Sequence, residues 1–504
     1  MSERETGGAR MGALERLFPR WAYRRACFKA GLEDMKAIRA EQRSYDAGRA
    51  DRLNAGWRTT NAPPGATDDM QRDVIRARAR DLERNSDIFS AMILAFVRGV
   101  VGWGLQLQPD TGDDALDTQI AALFDRWRRA RNCDAAGSMT FDEMCQTIVR
   151  RKLVDGGILI VKSYAAGEVP LKLQLIEVDQ LSSMALKPRY EGDYIVGGVE
   201  VDKLSAPRGY WIEPRTPDEM AIAKPVFIES KDAIFYKSQT RPGQIREMSP
   251  AAVAMPRLRD VEGFIEAQSM KERIAACFAA FIRRQSGQSV LGMGGARRDD
   301  PQTKPYSGST ITPGMIAHLG LDEDVSFAQP PASSGEASNF TRLLTRMTGA
   351  AMGLSYEAAS RDLSQVTYSS ARQGLIEDES TYAIEQQSLI DHVLTEVYES
   401  FIISAVLSGA LDIPDFWERK REYMKHDWIP QGRQWIDPKK EADANALALQ
   451  TGLKPFSEIA GAAGYDWRAL MQQLKAEQEY AEEIGLVLPW KAEKKNEGKK
   501  AQQV

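Results

Sequence analysis

The chain has 504 residues, a length that predicts about three domains. Hydrophobic residues make up 43% and charged residues 27%, so a wholly disordered chain is excluded. With 66 Lys and Arg against 71 Asp and Glu the formal charge is -5, which argues against a generally basic coat for nucleic acid.

The first residues, MSERETGGARMGALERLFPRW, alternate charge with single apolar residues and lack an apolar signal core, so no targeting signal is expected. Residues 1–60 carry 13 Lys and Arg against 8 Asp and Glu. They read as a solvated arm, or as a segment that orders on a partner or on nucleic acid. The turn cluster Asn61-Ala-Pro-Pro-Gly-Ala-Thr-Asp-Asp ends the arm. A long helix is predicted over 68–97, with a break near Asn85-Ser86-Asp87. Its apolar stripe is Val74, Ile75, Leu82, Ile88, Met92 and Phe96. Arg72, Arg76, Arg78, Arg80 and Arg84 are denser there than one solvated face requires. The most apolar stretch, Ile88 to Leu107, has Arg98 at its centre. An unpaired Arg there costs about 2.5 to 3.5 kcal/mol in a bilayer, so a buried helix running into a strand is expected, in a soluble cytosolic protein.

Two more helices are predicted, over 114–131 (Ile120, Leu123, Phe124 and Trp127 inward) and over 140–153. The second opens on Thr140 with Glu143 three residues on, the spacing of a capping box. The period then changes to two. Gly157–Lys162 and Lys172–Val178 read as paired strands. Tyr194–Val201, Gly209–Glu213, Val226–Ile228 and Ala233–Tyr236 are further strands, so the fold class is α+β with a mixed or antiparallel sheet. Ser249-Pro250 opens a helical stretch to about Arg284, which Pro256 forces to restart or kink. Residues 286–336 are rich in Gly, Ser and Pro and hold two short apolar pieces, Ser289–Leu291 and Met315–Leu319. Helix returns over 337–353 and ends at the C-cap residue Gly353. After an irregular polar loop comes the longest helix, 373–408, striped by Ile390, Val393, Leu394, Val397, Tyr398, Phe401 and Ile402. Shorter helices are predicted over 437–451 and 466–484. From Lys491 the chain has five Lys and two Glu in fourteen residues and reads as disordered.

Catalytic chemistry is hard to find. No GxxxxGK[ST] cradle occurs. Gly292-Met-Gly-Gly-Ala lacks the third Gly of a dinucleotide fingerprint and reads as a flexible loop. Asp322-Glu-Asp324 reads as a solvated acidic turn. Ser369-Ser370 has no His within twenty residues. Cys27, Cys133, Cys145 and Cys277 have no CxxC spacing, which argues against a zinc site or disulfide framework and for a reducing compartment. His318, His392 and His426 lie far apart. The late tryptophans (Trp417, Trp428, Trp435, Trp467, Trp490) read as core or interface packing. No enzyme, no cofactor and no metal are expected.

Specific strings go further. Tyr45-Asp-Ala-Gly, Gly56-Trp57, Asn61-Ala and Ile75-Arg-Ala-Arg-Ala-Arg-Asp-Leu-Glu-Arg-Asn resemble the opening of the lambda-type tailed-phage portal family. Val100-Val-Gly-Trp-Gly-Leu, Asp155-Gly-Gly, Leu175-Ile-Glu-Val-Asp-Gln-Leu, Arg241-Pro-Gly-Gln-Ile-Arg-Glu-Met-Ser-Pro and Gly353-Leu-Ser-Tyr-Glu continue the resemblance in order. So do Asp362-Leu-Ser-Gln-Val-Thr-Tyr-Ser-Ser-Ala-Arg, Trp435-Ile-Asp-Pro-Lys-Lys-Glu and Gly452-Leu. The sequence departs from the family pattern at Val366-Thr-Tyr, where Asn usually precedes Tyr, and at Arg246-Glu-Met-Ser.

The resemblance implies a multi-domain portal fold with long stem and wing helices. On that plan 1–60 is an N-terminal arm, 61–248 the wing, 249–285 a stem helix, 286–336 the clip and 337–354 a second stem helix. A tunnel loop follows at 355–372, then the long wing helix and its connection at 373–436, a crown at 437–490 and a tail at 491–504. It implies a homododecameric ring at one capsid vertex, through which terminase packages double-stranded DNA and from which the DNA later leaves. Terminase and the head-completion or tail connector proteins would meet the clip at Arg297, Arg298 and Lys304. Arg361, Gln365, Thr367, Tyr368 and Arg372 of the tunnel loop would face DNA without reading its sequence. The major capsid protein is a further implied partner. The implied location is the virion, after assembly in the host cytoplasm and without a membrane. The alternatives are another head-assembly protein, such as a scaffold or minor capsid protein, and a terminase-like packaging enzyme. The β-rich 157–236 argues against a scaffold, and the missing nucleotide and carboxylate motifs argue against the enzyme.

Overall fold

Prolines open the helix that follows the turn cluster at 61–63. Pro64 occupies the first turn of α1 (Pro64–Asn85), where its missing N–H costs no hydrogen bond. Ser86 ends α1 and caps α2 (Asp87–Val100), its Oγ accepting from Phe89 N at 3.2 Å. The break expected at 85–87 is therefore a cap, and the single helix is two. In α2 Phe89, Met92, Ile93, Ala95, Phe96 and Val100 are buried, and it leads into β1 (Gln106–Pro109) as expected of a core helix running into a strand. The computed structural model describes residues 61–488 except 183, 185–186, 216–223, 277–279, 285–322, 328–333, 365–366 and 433–437, together with 28, 29 and 32. The chain divides into two units, residues 1–62 and 63–504, and every element here lies in the second.

Asp113 caps α3 (Asp114–Trp127), which the short α4 (Ala130–Cys133) follows. α5 (Phe141–Asp155) opens on the expected capping box, with Thr140 N donating to Glu143 Oε2 at 2.8 Å. It ends at Gly156, whose φ of 92° turns the chain into β2 (Gly157–Tyr164). β2 pairs antiparallel with β3 (Leu171–Glu177), Ile158 opposite Glu177 and Tyr164 opposite Leu171. A four-stranded antiparallel meander follows: β4 (Tyr194–Val196), β5 (Val199–Val201), β6 (Pro207–Ile212) and β7 (Val226–Glu229). β8 (Ala233–Lys237) then returns to the free edge of β2. β2 is buried on both faces because alternate residues feed two cores. Ile158 and Ile160 join the large helical core, while Leu159 and Val161 join the sheet core of Val199, Tyr210 and Ile212.

The expected helix 249–285 is shorter. After a 3₁₀ turn at Pro250–Val253, α6 runs from Met255 to Ala276, with Pro256 in its first turn. β9 (Ala280–Arg284) pairs antiparallel with β10 (Glu323–Phe327). Glu323 and Asp324 therefore start a strand and not an acidic turn. The reason is a pairing across about forty residues of chain, which local helix periodicity could not reveal. At the other end of the expected clip, 334–336 are already helical, and the rest, with Ser289–Leu291 and Met315–Leu319, lies outside the described residues.

α7 (Ser334–Ala351) and α8 (Tyr356–Ser360) lead to α9 (Tyr368–Leu389), which passes through a π turn at Ile390–Leu394 into α10 (Thr395–Leu407). α10 is the centre of the large core. Val397, Tyr398, Phe401, Ile402 and Ala405 are all inaccessible, and Phe401 meets Phe124 edge to face at 5.3 Å. Trp127 packs there too, its Nε1 donating to Leu171 O at 2.8 Å. The short α11 (Lys420–Tyr423) precedes β11 (His426–Ile429), which pairs antiparallel with β1 and closes the core with Trp428. Three helices end the described chain: α12 (Pro438–Thr451), α13 (Phe456–Ala462) and α14 (Trp467–Glu483). α13 and β11 have no counterpart in the sequence expectations. The tail from Lys491 lies outside the described residues.

Candidate functional site

The segment expected to face DNA runs between α7 and α9, and hydrogen bonds shape it. Gly353, at φ 71°, turns the chain after α7. Ser355 caps α8 by accepting from Ala358 N at 3.1 Å. Its own N–H and Oγ–H donate to the two carboxylate oxygens of Asp378 at 2.6 Å each, so α9 holds α8 in place. Arg361 closes α8 in the left-handed conformation, at φ 57°, which few residues other than Gly adopt. Asp362 then gathers the turn. Its Oδ1 accepts from Ser364 N and Oγ at 3.0 and 2.5 Å, and its Oδ2 from Tyr356 OH at 3.1 Å and Arg342 Nη2 at 3.4 Å. The Ser364 bonds, and after them Tyr356 and Arg342, hold the Asp362 carboxyl below its usual range.

The loop is shorter than the expected 355–372. Thr367 caps α9 in a capping box with Ser370, so α9 starts at Tyr368 and not at 373. Thr367, Tyr368 and Arg372 thus sit at and in the first turns of a helix. Ser369 and Ser370 looked like loop residues, but here serine hydroxyls serve a cap. Gln365 lies outside the described residues, and so do Arg297, Arg298 and Lys304. Arg361 and Arg372 are both exposed. Among the described residues neither guanidinium has a partner, and the local carboxylate Asp362 engages Arg342 instead. The polar reading of the loop missed Leu363, which is 67% exposed at its tip. A lone apolar residue in a polar run was the available signal. Behind the loop lies a cavity of about 550 Å³ lined by Ala95, Gly99, Leu363, Leu375, Asp378 and Tyr382.

A second cavity, of about 610 Å³, borders α9 further along. There Lys152 Nζ donates to Glu385 Oε1 at 2.5 Å and to Tyr236 OH at 2.9 Å, while Tyr236 OH donates to the same carboxylate oxygen at 2.6 Å. Burial lowers the pKa of Lys152 against the pull of Glu385, and burial raises that of Tyr236. Every polar group in this trio is engaged, and the trio ties α5 and β8 to α9. Among the described residues no group of His, Cys, Asp and Glu is placed to hold a metal ion, and no helix is long and apolar enough to cross a membrane.

The dense arginine run of α1 has a structural answer. Arg72, Arg76 and Arg80 recur every fourth residue and point inward, while Arg78 and Arg84 stay exposed. Arg72 Nε donates to Glu247 O at 3.2 Å, and Arg76 Nη1 to Glu247 Oε1 at 3.4 Å. Arg246 grips the same fully buried carboxylate at 2.8 and 2.9 Å. Arg80 binds both oxygens of Asp155, at 2.8 and 3.0 Å, and that hydrogen-bonded pair raises the Arg80 pKa. Next to this clasp, Lys237 Nζ donates to the carbonyls of Gln244 and Ile245. Burial pulls its pKa down from the ordinary 10.5 to about 8, with Glu247 opposing and Arg246 assisting. Between those two values the unfolded chain binds the proton more tightly than the folded one. The folded state is therefore expected to gain stability as pH rises through that window, and to carry the full penalty below about pH 8. Urea unfolding of the parent and of Lys237→Met across pH 7.5 to 10.5 checks this: the parent should gain stability relative to the variant as pH rises.

Comparison with known proteins adds the following. The family described as "Phage portal protein, lambda family" matches residues 50–386. A "Probable portal protein" of Halomonas phage phiHAP-1 is 25% identical over 496 residues, which cover 95% of each chain. The "Portal protein" of Escherichia phage N15 is 21% identical over 465 residues, 82% of this chain and 86% of that one. "Portal protein B" of Escherichia phage lambda is 24% identical over 183 residues, 35% of this chain and 34% of its own. Among solved structures, "Neck of native GTA particle computed with C12 symmetry" is 15% identical with a TM-score of 0.44, covering 77% of this chain and 93% of that chain. An HK97 family phage portal protein from Corynebacterium diphtheriae is 12% identical with a TM-score of 0.32, covering 73% and 98%.

Proposed function

Because this chain belongs to the lambda family of phage portal proteins, we propose that twelve copies close into a ring at one capsid vertex, and that its central hole is the passage for double-stranded DNA. One observation carries the reading: the family match runs from residue 50 to 386, and the phiHAP-1 relative extends it to 95% of the chain. The role of a portal protein is structural. In this reading terminase drives DNA inward through the ring, head-completion and tail connector proteins later dock on it, and the major capsid protein surrounds it. The ring forms in the host cytoplasm and ends in the virion. Residues 286–336 form the docking clip, with Arg297, Arg298 and Lys304 as its contacts.

Charge supports a passage over a grip. Each neutralised phosphate adds affinity through counterion release, so a basic channel would stall DNA. At -5 per chain, twelve copies carry a formal charge of about -60, a repelling annulus. Against that background the loop's two cations, Arg361 and Arg372, each without a partner among the described residues, stand out. They make transient phosphate contacts that position the duplex without reading sequence, and Gln365, Thr367 and Tyr368 lie between them. Arg361→Ala and Arg372→Ala are expected to assemble normal rings but to package or retain DNA poorly, with no change in sequence preference. Head filling and genome length in particles made with each variant check this. Full heads like the parent's would remove both residues from the channel lining, and failure to form rings would give them a structural role.

A further inference from the structure

α12 and α14 are helices almost without a core. α12 buries no residue, and α14 buries Ala481 alone. Isolated helices of 14 to 17 residues are marginal in water, and helices in proteins draw most of their stability from an apolar face packed on a neighbour. Here such faces stay open. Leu447 on α12 is 60% exposed and Tyr480 on α14 is 63% exposed. Tyr480 and Ile484 follow one another at helical spacing where α14 ends, and both are exposed, as is Val487 beyond the turn at Gly485. Near its start α14 is fastened by Asp466, which accepts from Gln108 at 2.8 Å, and by Arg468, which binds Asp110 at 3.0 Å.

The charges at the two helix ends are also unusual. Lys439 and Lys440 stand in the first turn of α12, at the positive end of its dipole. Glu479, Glu482 and Glu483 stand in the last turns of α14, at the negative end of its dipole. Lys439 works against the dipole of α12 and Glu483 against that of α14, so each of these two charges suits the other helix. Lys439 and Glu483 are exposed, and neither has an ion pair among the described residues. A second copy of this chain supplies both an apolar cover and the opposite charge.

We infer that α12 of one subunit packs antiparallel on the C-terminal half of α14 of the next, with Lys439 opposite Glu483, Ala442 over Tyr480, and Ala446 and Leu447 over Ala476. The surfaces differ, so the contact is heterologous and repeats around a ring instead of closing a dimer. The inference rests on the ring reading above and names one of its contacts. The full-length chain tests it by sedimentation over a dilution series. Leu447→Ser with Tyr480→Ser should raise the concentration at which rings half dissociate by about tenfold or more. Thermal unfolding of the free subunit should stay unchanged, because both side chains are exposed. Lys439→Glu should weaken the rings, and adding Glu483→Lys should restore them. Unchanged ring stability in the serine variant would overturn the inference and assign the helices to another protein, and a failed charge swap would overturn it too. If the parent itself formed no rings, the ring reading would fail first, so the two failures are told apart.

Discussion

Asp155→Ala should destabilise the chain by about 3–5 kcal/mol, the usual range when one partner of a buried ion pair is removed. The Asp155 carboxylate is inaccessible and accepts two bonds from Arg80, and Arg151 Nη1 lies 3.4 Å from Oδ2. Without it Arg80 keeps Asp179 and Glu177 at 3.3 and 3.4 Å, but loses its bidentate partner. Arg151 keeps Glu83. The loss therefore falls on Arg80, whose side chain is about four-fifths covered. Asp155→Asn keeps the shape and one acceptor, and should fall between the parent and the alanine variant. Chemical unfolding of the three chains, with Arg84→Ala as an exposed control near zero, checks the order.

Gly156→Ala should be at least as damaging, at roughly 3 kcal/mol or more. Gly156 sits at φ 92°, and a Cβ there would lie 2.5 Å from Met248 C and 2.7 Å from Ser249 N. Those are backbone atoms, so no side-chain rotation relieves the clash. The residue also sets the start of β2, the strand that feeds both cores. Gly112 is a built-in control. Its φ is 87° and nothing lies within 4 Å of its missing Cβ. Gly112→Ala should therefore lose only the backbone preference, about 1–2 kcal/mol. Equal effects at the two glycines would show that the left-handed conformation, and not the contact with Met248 and Ser249, makes Gly156 necessary.

These two residues also show how far local sequence carries. Asp155-Gly-Gly was visible as a family string, but its reason was not. The partners of Asp155 and Gly156 are Arg80 and the Met248 backbone, both far along the chain. Where a signal is local, the sequence reading held. The Thr140–Glu143 box and the β2–β3 pair appear where expected. Where it depends on distant chain, it did not. The β9–β10 pair was read as helix and acidic turn, and β11 was missed because its partner β1 lies more than 300 residues earlier. At the candidate site the exposed arginines were legible. The Thr367 cap and the Asp362 turn, which decide where loop ends and helix begins, were hidden among serines that suit either.

The central claim is that this chain builds a ring, and microscopy of the purified protein in negative stain tests it most directly, with sedimentation on the same sample. Closed rings with a central hole, of twelve 56.1 kDa copies or roughly 670 kDa, are the predicted result. A sharp monomer or dimer at high concentration and low salt, with no ring in procapsids, would contradict it.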